Sequence, residues 1–201
     1  MKTFVKRMFK LIAGNSASRY QAKLLKKWPP AGRYLEIGVW KGDFSMQIQR
    51  VCKPIELHLL DPWEFQPQFK NRMFGGSVAK NQDGMDEIYE GVKKRMAGSL
   101  NVKFYRGYSN ALIDKFEDDF FDAIYIDGNH YYDFIFADLN SYWKKVKVGG
   151  LITGDDYFWT ASDINGQLPV KEAVTKFTEE LPDQIKFHGL VGDQFILERL
   201  K

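Results

Sequence analysis

Three aspartates and a histidine stand at two abrupt strand ends in the C-terminal half of this 201-residue sequence. One group, Asp127-Gly-Asn-His130, follows an apolar run that begins at Phe121; the other, Asp155-Asp156-Tyr157, follows Leu151-Ile-Thr-Gly154. Carboxylates at neighbouring strand ends can offer oxygen ligands to a hard divalent cation such as Mg²⁺. Such an ion would orient a pair of substrate hydroxyls and lower a hydroxyl pKa. An imidazole beside it could then remove the proton. On that reading Asp127, Asp155 and Asp156 are candidate metal ligands and His130 is the candidate general base. The plainer alternatives are turn aspartates, an Asp127 that only bonds a cofactor, and a histidine kept for its hydrogen bonds. Without a cation the carboxylates would repel one another, which favours the metal.

A second constellation lies near the N-terminus, in Arg33-Tyr-Leu-Glu-Ile-Gly-Val-Trp-Lys-Gly-Asp-Phe-Ser45. Tyr34 to Ile37 reads as a buried parallel strand, Gly38 and Gly42 as a turn, and Phe44, Met46, Ile48 and Val51 as a helix face. A strand, a glycine turn and a helix open a nucleotide-binding α/β unit, where backbone N–H groups meet the ligand. The spacing is Gly-x-x-x-Gly, and Trp40 occupies the place where the dinucleotide fingerprint needs its second glycine. Glu36, two residues before the turn, repels phosphate and suits an ammonium group. A ligand with an amino-acid end and a nucleoside end fits, and S-adenosylmethionine is the obvious one. Glu36, Gly38, Val39, Trp40, Gly42 and Ser45 are the candidate residues around it. Asp61 ends the next strand, 23 residues after Gly38, where such folds place an acid for the ribose hydroxyls. Its plain alternative is a turn aspartate ahead of Pro62.

These residues need strands and helices in alternation to carry them. Strands are predicted over 55–61, 102–106, 121–126 and 151–154, with helices over 86–96, from 109 to about 116, and over 132–146. Lys147-Val-Gly-Gly150 reads as the turn into the fifth strand. A helix over 168–181 and two strands, 185–190 and 195–200, close the chain. Ligands bind outside the carboxyl ends of an open parallel sheet, so Gly38, Asp61, Asp127 and His130 should share one crevice, with Gly107 to Ser109 bordering the adenine. Residues 62–84 are aromatic and polar without clear period. They read as a lid insertion over the substrate, or as an extra helix packed on the core.

Composition bounds the rest. The length suits one domain over residues 31–201, preceded by a basic helical segment, 1–30, that ends at Trp28-Pro29-Pro30. Cys52 is the only cysteine, which excludes a disulfide framework and points to a reducing, cytoplasmic setting. No apolar run approaches the ~20 residues of a membrane span, and the pattern of a secretory signal is not seen. The net charge of +3 is uneven: residues 1–33 hold nine basic residues and no acid, so the remainder carries −6. Phe4, Val5, Met8, Phe9, Leu11 and Ile12 fall on one helical face. Residues 1–27 could thus meet an anionic membrane or acidic partner, or pack on their own domain or a sister subunit in a homo-oligomer. Nucleic acid is not expected, because the basic residues do not continue into the body of the fold.

Glu36-x-Gly38-x-x-x-Gly42, Asp61, Asp127-Gly-Asn-His130, and Gly149-Gly150 leading to Asp155-Asp156-Tyr157 together resemble the class I S-adenosylmethionine-dependent methyltransferases. The likeness runs from about residue 30 to 200 and is nearest to the macrocin and mycinamicin sugar O-methyltransferases. It implies a Rossmann-like α/β fold, a seven-stranded sheet of order 3-2-1-4-5-7-6 with an antiparallel last strand. It also implies Mg²⁺ on Asp127, Asp155 and Asp156, His130 as base, and Ser109 beside the cofactor. Asp155 differs from the glutamate usual at that place. The expected activity is methylation of a hydroxyl on a small acceptor, a sugar or polyol or a catechol-like diol. The rivals are a non-catalytic binding protein of the same fold and a nicotinamide-dependent oxidoreductase, which Trp40 disfavours.

Overall fold

The computed structural model describes residues 18–161 and 164–201. The apolar face expected over residues 4–12 lies outside them. Seven strands form one sheet in the order β3-β2-β1-β4-β5-β7-β6. They are β1 (Arg33–Ile37), β2 (Glu56–Asp61), β3 (Val102–Arg106), β4 (Phe121–Ile126), β5 (Val146–Gly154), β6 (Ile185–Val191) and β7 (Gln194–Arg199). The first five pair in parallel, while β7 runs antiparallel to both β5 and β6. The expected order and the antiparallel last strand are both present.

Helices cover both faces. They are α1 (residues 18–25), α2 (Asp43–Cys52), α3 (Gln82–Met96), α4 (Ser109–Leu112), α5 (Tyr132–Tyr142) and α6 (Pro169–Glu180). The central strands have buried residues facing both layers, which is why they read as continuous apolar runs. Alternation along β4 sends Ile124 and Ile126 into a core shared with α5 and α6, and Phe121 joins them from the other side of the register shift before Ala123. Ala123 and Tyr125 enter the opposite core, shared with α1, α2 and α3. Among the described residues no helix is long and apolar enough to cross a membrane.

Three element boundaries differ from expectation. Residues 147–150 belong to β5, whose pairing with β4 shifts register between Phe121 and Ala123; a glycine pair there marks a bulge in the strand rather than a turn before it. The helix α5 accordingly ends at Tyr142 and tightens into a single 3₁₀ turn, Trp143–Lys145. The helix α3 begins four residues early, because the Asn81 side chain accepts from the Gly84 N–H and caps it. Between β2 and α3 there is no extra helix, only two 3₁₀ turns, Pro67–Phe69 and Met73–Gly75. That segment is tied inward by Trp63, fully buried, whose Nε1 donates to the Trp40 carbonyl at 3.0 Å.

Candidate functional site

The carboxyl ends of β1, β2, β4 and β5 surround a cavity of about 520 Å³, a size suited to a small-molecule ligand. Glu36, Gly38, Val39, Trp40, Asp61, Ser109, Asp127, His130, Asp155 and Asp156 all line it. Gly42 and Ser45 do not: they stand behind the wall. Ser45, fully buried on α2, donates its hydroxyl to Glu36 Oε2 at 2.5 Å.

At the glycine turn, backbone geometry dominates. Gly38 has φ +87°, and a Cβ on it would collide with the Asp127 carbonyl oxygen at the end of β4. Only glycine lets the ends of β1 and β4 approach this closely. Trp40 also sits in the left-handed region, at φ 52°, a strained place for so large a residue. Asp61 holds this conformation. Its Oδ2 accepts from the Val39 and Trp40 N–H groups, both at 2.9 Å, and its Oδ1 from the Trp63 N–H at 2.7 Å. Three of roughly four acceptor positions on the carboxylate are thereby taken, leaving about one open. Shaping the turn is a role that sequence spacing alone did not reveal.

Glu36 is 2% exposed, yet it lines the cavity. Burial raises its carboxyl well above the ordinary range, against the lowering effect of the Ser45 hydroxyl. A cationic group entering the cavity would relieve that penalty.

At the opposite wall, Asp127, His130 and Asp156 gather: one ligand atom from each lies within 4.8 Å of the others. His130 Nε2 is 3.3 Å from Asp127 Oδ1 and 3.1 Å from Asp156 Oδ2. Neither approach has the direction of a hydrogen bond, so this buried nitrogen lacks a properly aligned partner. Burial lowers the proton affinity of His130, but Asp127, Asp156 and Asp155 outweigh it and the pKa is raised. Asp155 also faces the cavity, but its Oδ1 accepts from the Asp156 N–H at 2.9 Å and it falls outside the three-residue cluster. Burial first, and then the Asp127 charge, push its carboxyl to about 7. The carboxylates of Asp127 and Asp156, with Asp155 beside them, are oxygen donors that fit a hard divalent cation.

Several wall residues were not singled out from the sequence. Asp138 interrupts the apolar face of α5, between Ile135 and Tyr142, and accepts from Ser109 Oγ at 2.5 Å. A buried acid on that face was the available signal. Glu64, Arg72, Phe134 and Trp159 also line the cavity. No periodic pattern marks them, because each sits in a loop or on an exposed helix face.

A family model described as a methyltransferase domain matches residues 35–157. An uncharacterized protein, R132, of Acanthamoeba polyphaga mimivirus is 27% identical over 193 residues, covering 82% of this chain and 78% of that protein. Among solved structures, the O-methyltransferase NovP aligns with a TM-score of 0.59 at 18% identity, over 94% of this chain and 79% of its own. TomG, an O-methyltransferase from Streptomyces achromogenes solved with S-adenosylmethionine, aligns at 0.55 with 16% identity, over 85% and 74%. A protein from Staphylococcus aureus described as a caffeoyl-CoA O-methyltransferase aligns at 0.59 with 16% identity, over 99% and 92%.

Proposed function

Given that this chain belongs to the family of S-adenosylmethionine-dependent methyltransferase domains, we propose that it methylates a hydroxyl of a small acceptor, a sugar or polyol, in the manner of the macrocin and mycinamicin enzymes that its motifs resemble. The observation that carries this reading is that one cavity joins the buried Glu36 and its glycine turn to the Asp127–His130–Asp156 cluster. A donor site and a site for deprotonating an acceptor thus face each other.

Glu36 would pair with the ammonium of the amino-acid end, and Gly38 to Trp40 would cradle it. The remaining acceptor position on Asp61 would take a ribose hydroxyl, with Tyr108 and Ser109 along the base. When bound, the sulfonium donor supplies a methyl group that is already electrophilic, so positioning and proton removal are the protein's share. Asp127 and Asp156, with Asp155 beside them, would hold a divalent cation whose charge stabilises the acceptor alkoxide. With the carboxylates so committed, His130 Nε2 is left to take the hydroxyl proton. Residues 62–84 line the same cavity through Gln66, Asn71 and Arg72, which supports a covering role.

Isothermal titration with S-adenosylhomocysteine and with NADH, each with and without Mg²⁺, tests the reading. Micromolar binding of S-adenosylhomocysteine, abolished by Glu36→Ala, is expected. Binding of NADH alone would replace the proposal with the oxidoreductase reading, and binding of neither would favour a non-catalytic role.

A further inference from the structure

The cavity wall is rich in acids, and its acceptor side carries one guanidinium. Arg72 lies in the segment between β2 and α3, over the face of Trp159, with its guanidinium carbon 4.5 Å from the ring centroid. It lies 5.4 Å from the ring of Tyr131 and donates from Nη2 to the Tyr131 hydroxyl at 3.1 Å. The Trp159 ring in turn lies 5.5 Å from that of His130, so Arg72 is one side chain removed from the candidate base. Among the described residues, no carboxylate comes within ion-pair distance of Arg72. The other long cation of the wall, Lys41, lies over Trp40 at the glycine turn and belongs to the cofactor end.

The backbone under Arg72 is held in place. Its carbonyl accepts from the Gly75 and Ser77 N–H groups, both at 3.1 Å, and its own N–H donates to Phe69 at 2.8 Å. A Cβ on Gly75 would strike the carbonyls of Phe69 and Gln66, so the loop closes tightly on itself. A guanidinium held over aromatic faces does not spend its N–H donors on the ring contact. One donor of five reaches Tyr131, and the others can bind a planar or tetrahedral anion. A cation held on rings one side chain from His130, with no acid of its own among the described residues, is a preorganised anion subsite.

We propose that the acceptor is an anion: a hydroxyl compound whose carboxylate or phosphate group is bound by Arg72 while its hydroxyl faces His130. This names the substrate class of the methyl-transfer site and rests on that reading of the cavity. It also makes Arg72 the residue that sets acceptor specificity.

The test uses the full chain saturated with S-adenosylhomocysteine and Mg²⁺, titrated with matched pairs. Glucose is set against glucuronate and against glucose 6-phosphate, and catechol against 3,4-dihydroxybenzoate. At least one anionic member should bind about tenfold tighter than its neutral partner, the size of one charge-assisted contact. Glucuronate and glucose 6-phosphate show whether carboxylate or phosphate is preferred. In Arg72→Gln that gap should close to below about threefold, with the affinity for S-adenosylhomocysteine and the melting temperature unchanged. Equal binding within every pair, a gap that survives Arg72→Gln, or no measurable binding of any anionic member at millimolar concentration overturns the proposal. In each of those cases retained S-adenosylhomocysteine binding leaves the methyltransferase reading standing; loss of that binding in the unsubstituted protein is what would remove it.

Discussion

At the glycine-turn end of the cavity, polar groups are answered by neighbours. Asp61 accepts three backbone N–H groups, Glu36 accepts the Ser45 hydroxyl, and the Trp63 indole reaches the Trp40 carbonyl. At the other end, Asp127, His130 and Asp156 crowd charge together without an aligned hydrogen bond on the imidazole, and Asp155 is pushed to about 7. At the first end, backbone and side chains satisfy each other's hydrogen bonds before any ligand arrives. Burial leaves a raised carboxyl at each end, Glu36 at the first and Asp155 at the second, but only the second also gathers like charges that an incoming cation can neutralise. On the proposed reading the first is a binding wall, which can be completed in advance, and the second a reacting wall, whose imidazole has no aligned hydrogen bond before an acceptor arrives.

The most severe way to break this contrast is at the shared seam. Gly38→Ala should destabilise the protein by about 3 kcal/mol or more, because a Cβ meets the Asp127 backbone in a left-handed conformation. Urea unfolding would measure it, and a loss below about 1 kcal/mol would mean that the two ends are not held together there. His130→Asn should lower kcat by about 10²- to 10⁴-fold with little change in S-adenosylhomocysteine affinity, which single-turnover kinetics beside titration would separate. An equal fall in both would erase the division between the ends.

Glu36→Gln sharpens the contrast from the cofactor side. S-adenosylhomocysteine should bind about 100-fold more weakly, through loss of a charge-assisted contact, while the melting temperature holds or rises because the penalty that burial places on the carboxylate is gone. A lower melting temperature with unchanged affinity would make Glu36 structural.

The smallest expected effect is a pH dependence. Burial raises Asp138 from its ordinary 3.8 to about 6, against the lowering effect of Ser109. Between those values the folded state holds a proton that the unfolded state has lost. Stability therefore falls as pH rises through about 4 to 6, and the cost is complete above 6. Asp138→Asn removes that cost and can still accept from Ser109. Its stability relative to the unsubstituted protein should rise by on the order of 2 kcal/mol between pH 4 and pH 7.5. Denaturant unfolding at the two pH values checks this; a flat difference would mean that Asp138 is not a buried carboxyl.

Local chemistry made much of this legible. The β1 run, its glycine turn and the amphipathic α2 are contiguous, so period and turn residues alone place Glu36 and Gly38. The same holds for Asp127 at the end of β4 and for Asp155 and Asp156 after β5. Boundaries slipped where a tertiary interaction overrides period. The Gly149–Gly150 pair looks like a turn until β4 is beside it, and the Asn81 cap starts α3 in a stretch without apolar rhythm. Gly42 and Ser45 belong to the motif, but their direction, behind the wall, depends on how α2 rolls against β1 and α3.

By itself, then, the sequence determined the alternation of strands and helices, the glycine turn and the strand ends that present acids, because each is written in neighbouring residues. Only the tertiary structure decided how those acids are used. Asp61 became the clamp of a turn 21 and 22 residues away, Asp138 met Ser109 across 29, and Arg72 came to rest on Trp159 from a loop on the far side of two strands. Hydrogen bonding and stacking between distant segments depend on where the sheet brings them, and that is set by the packing of the whole core.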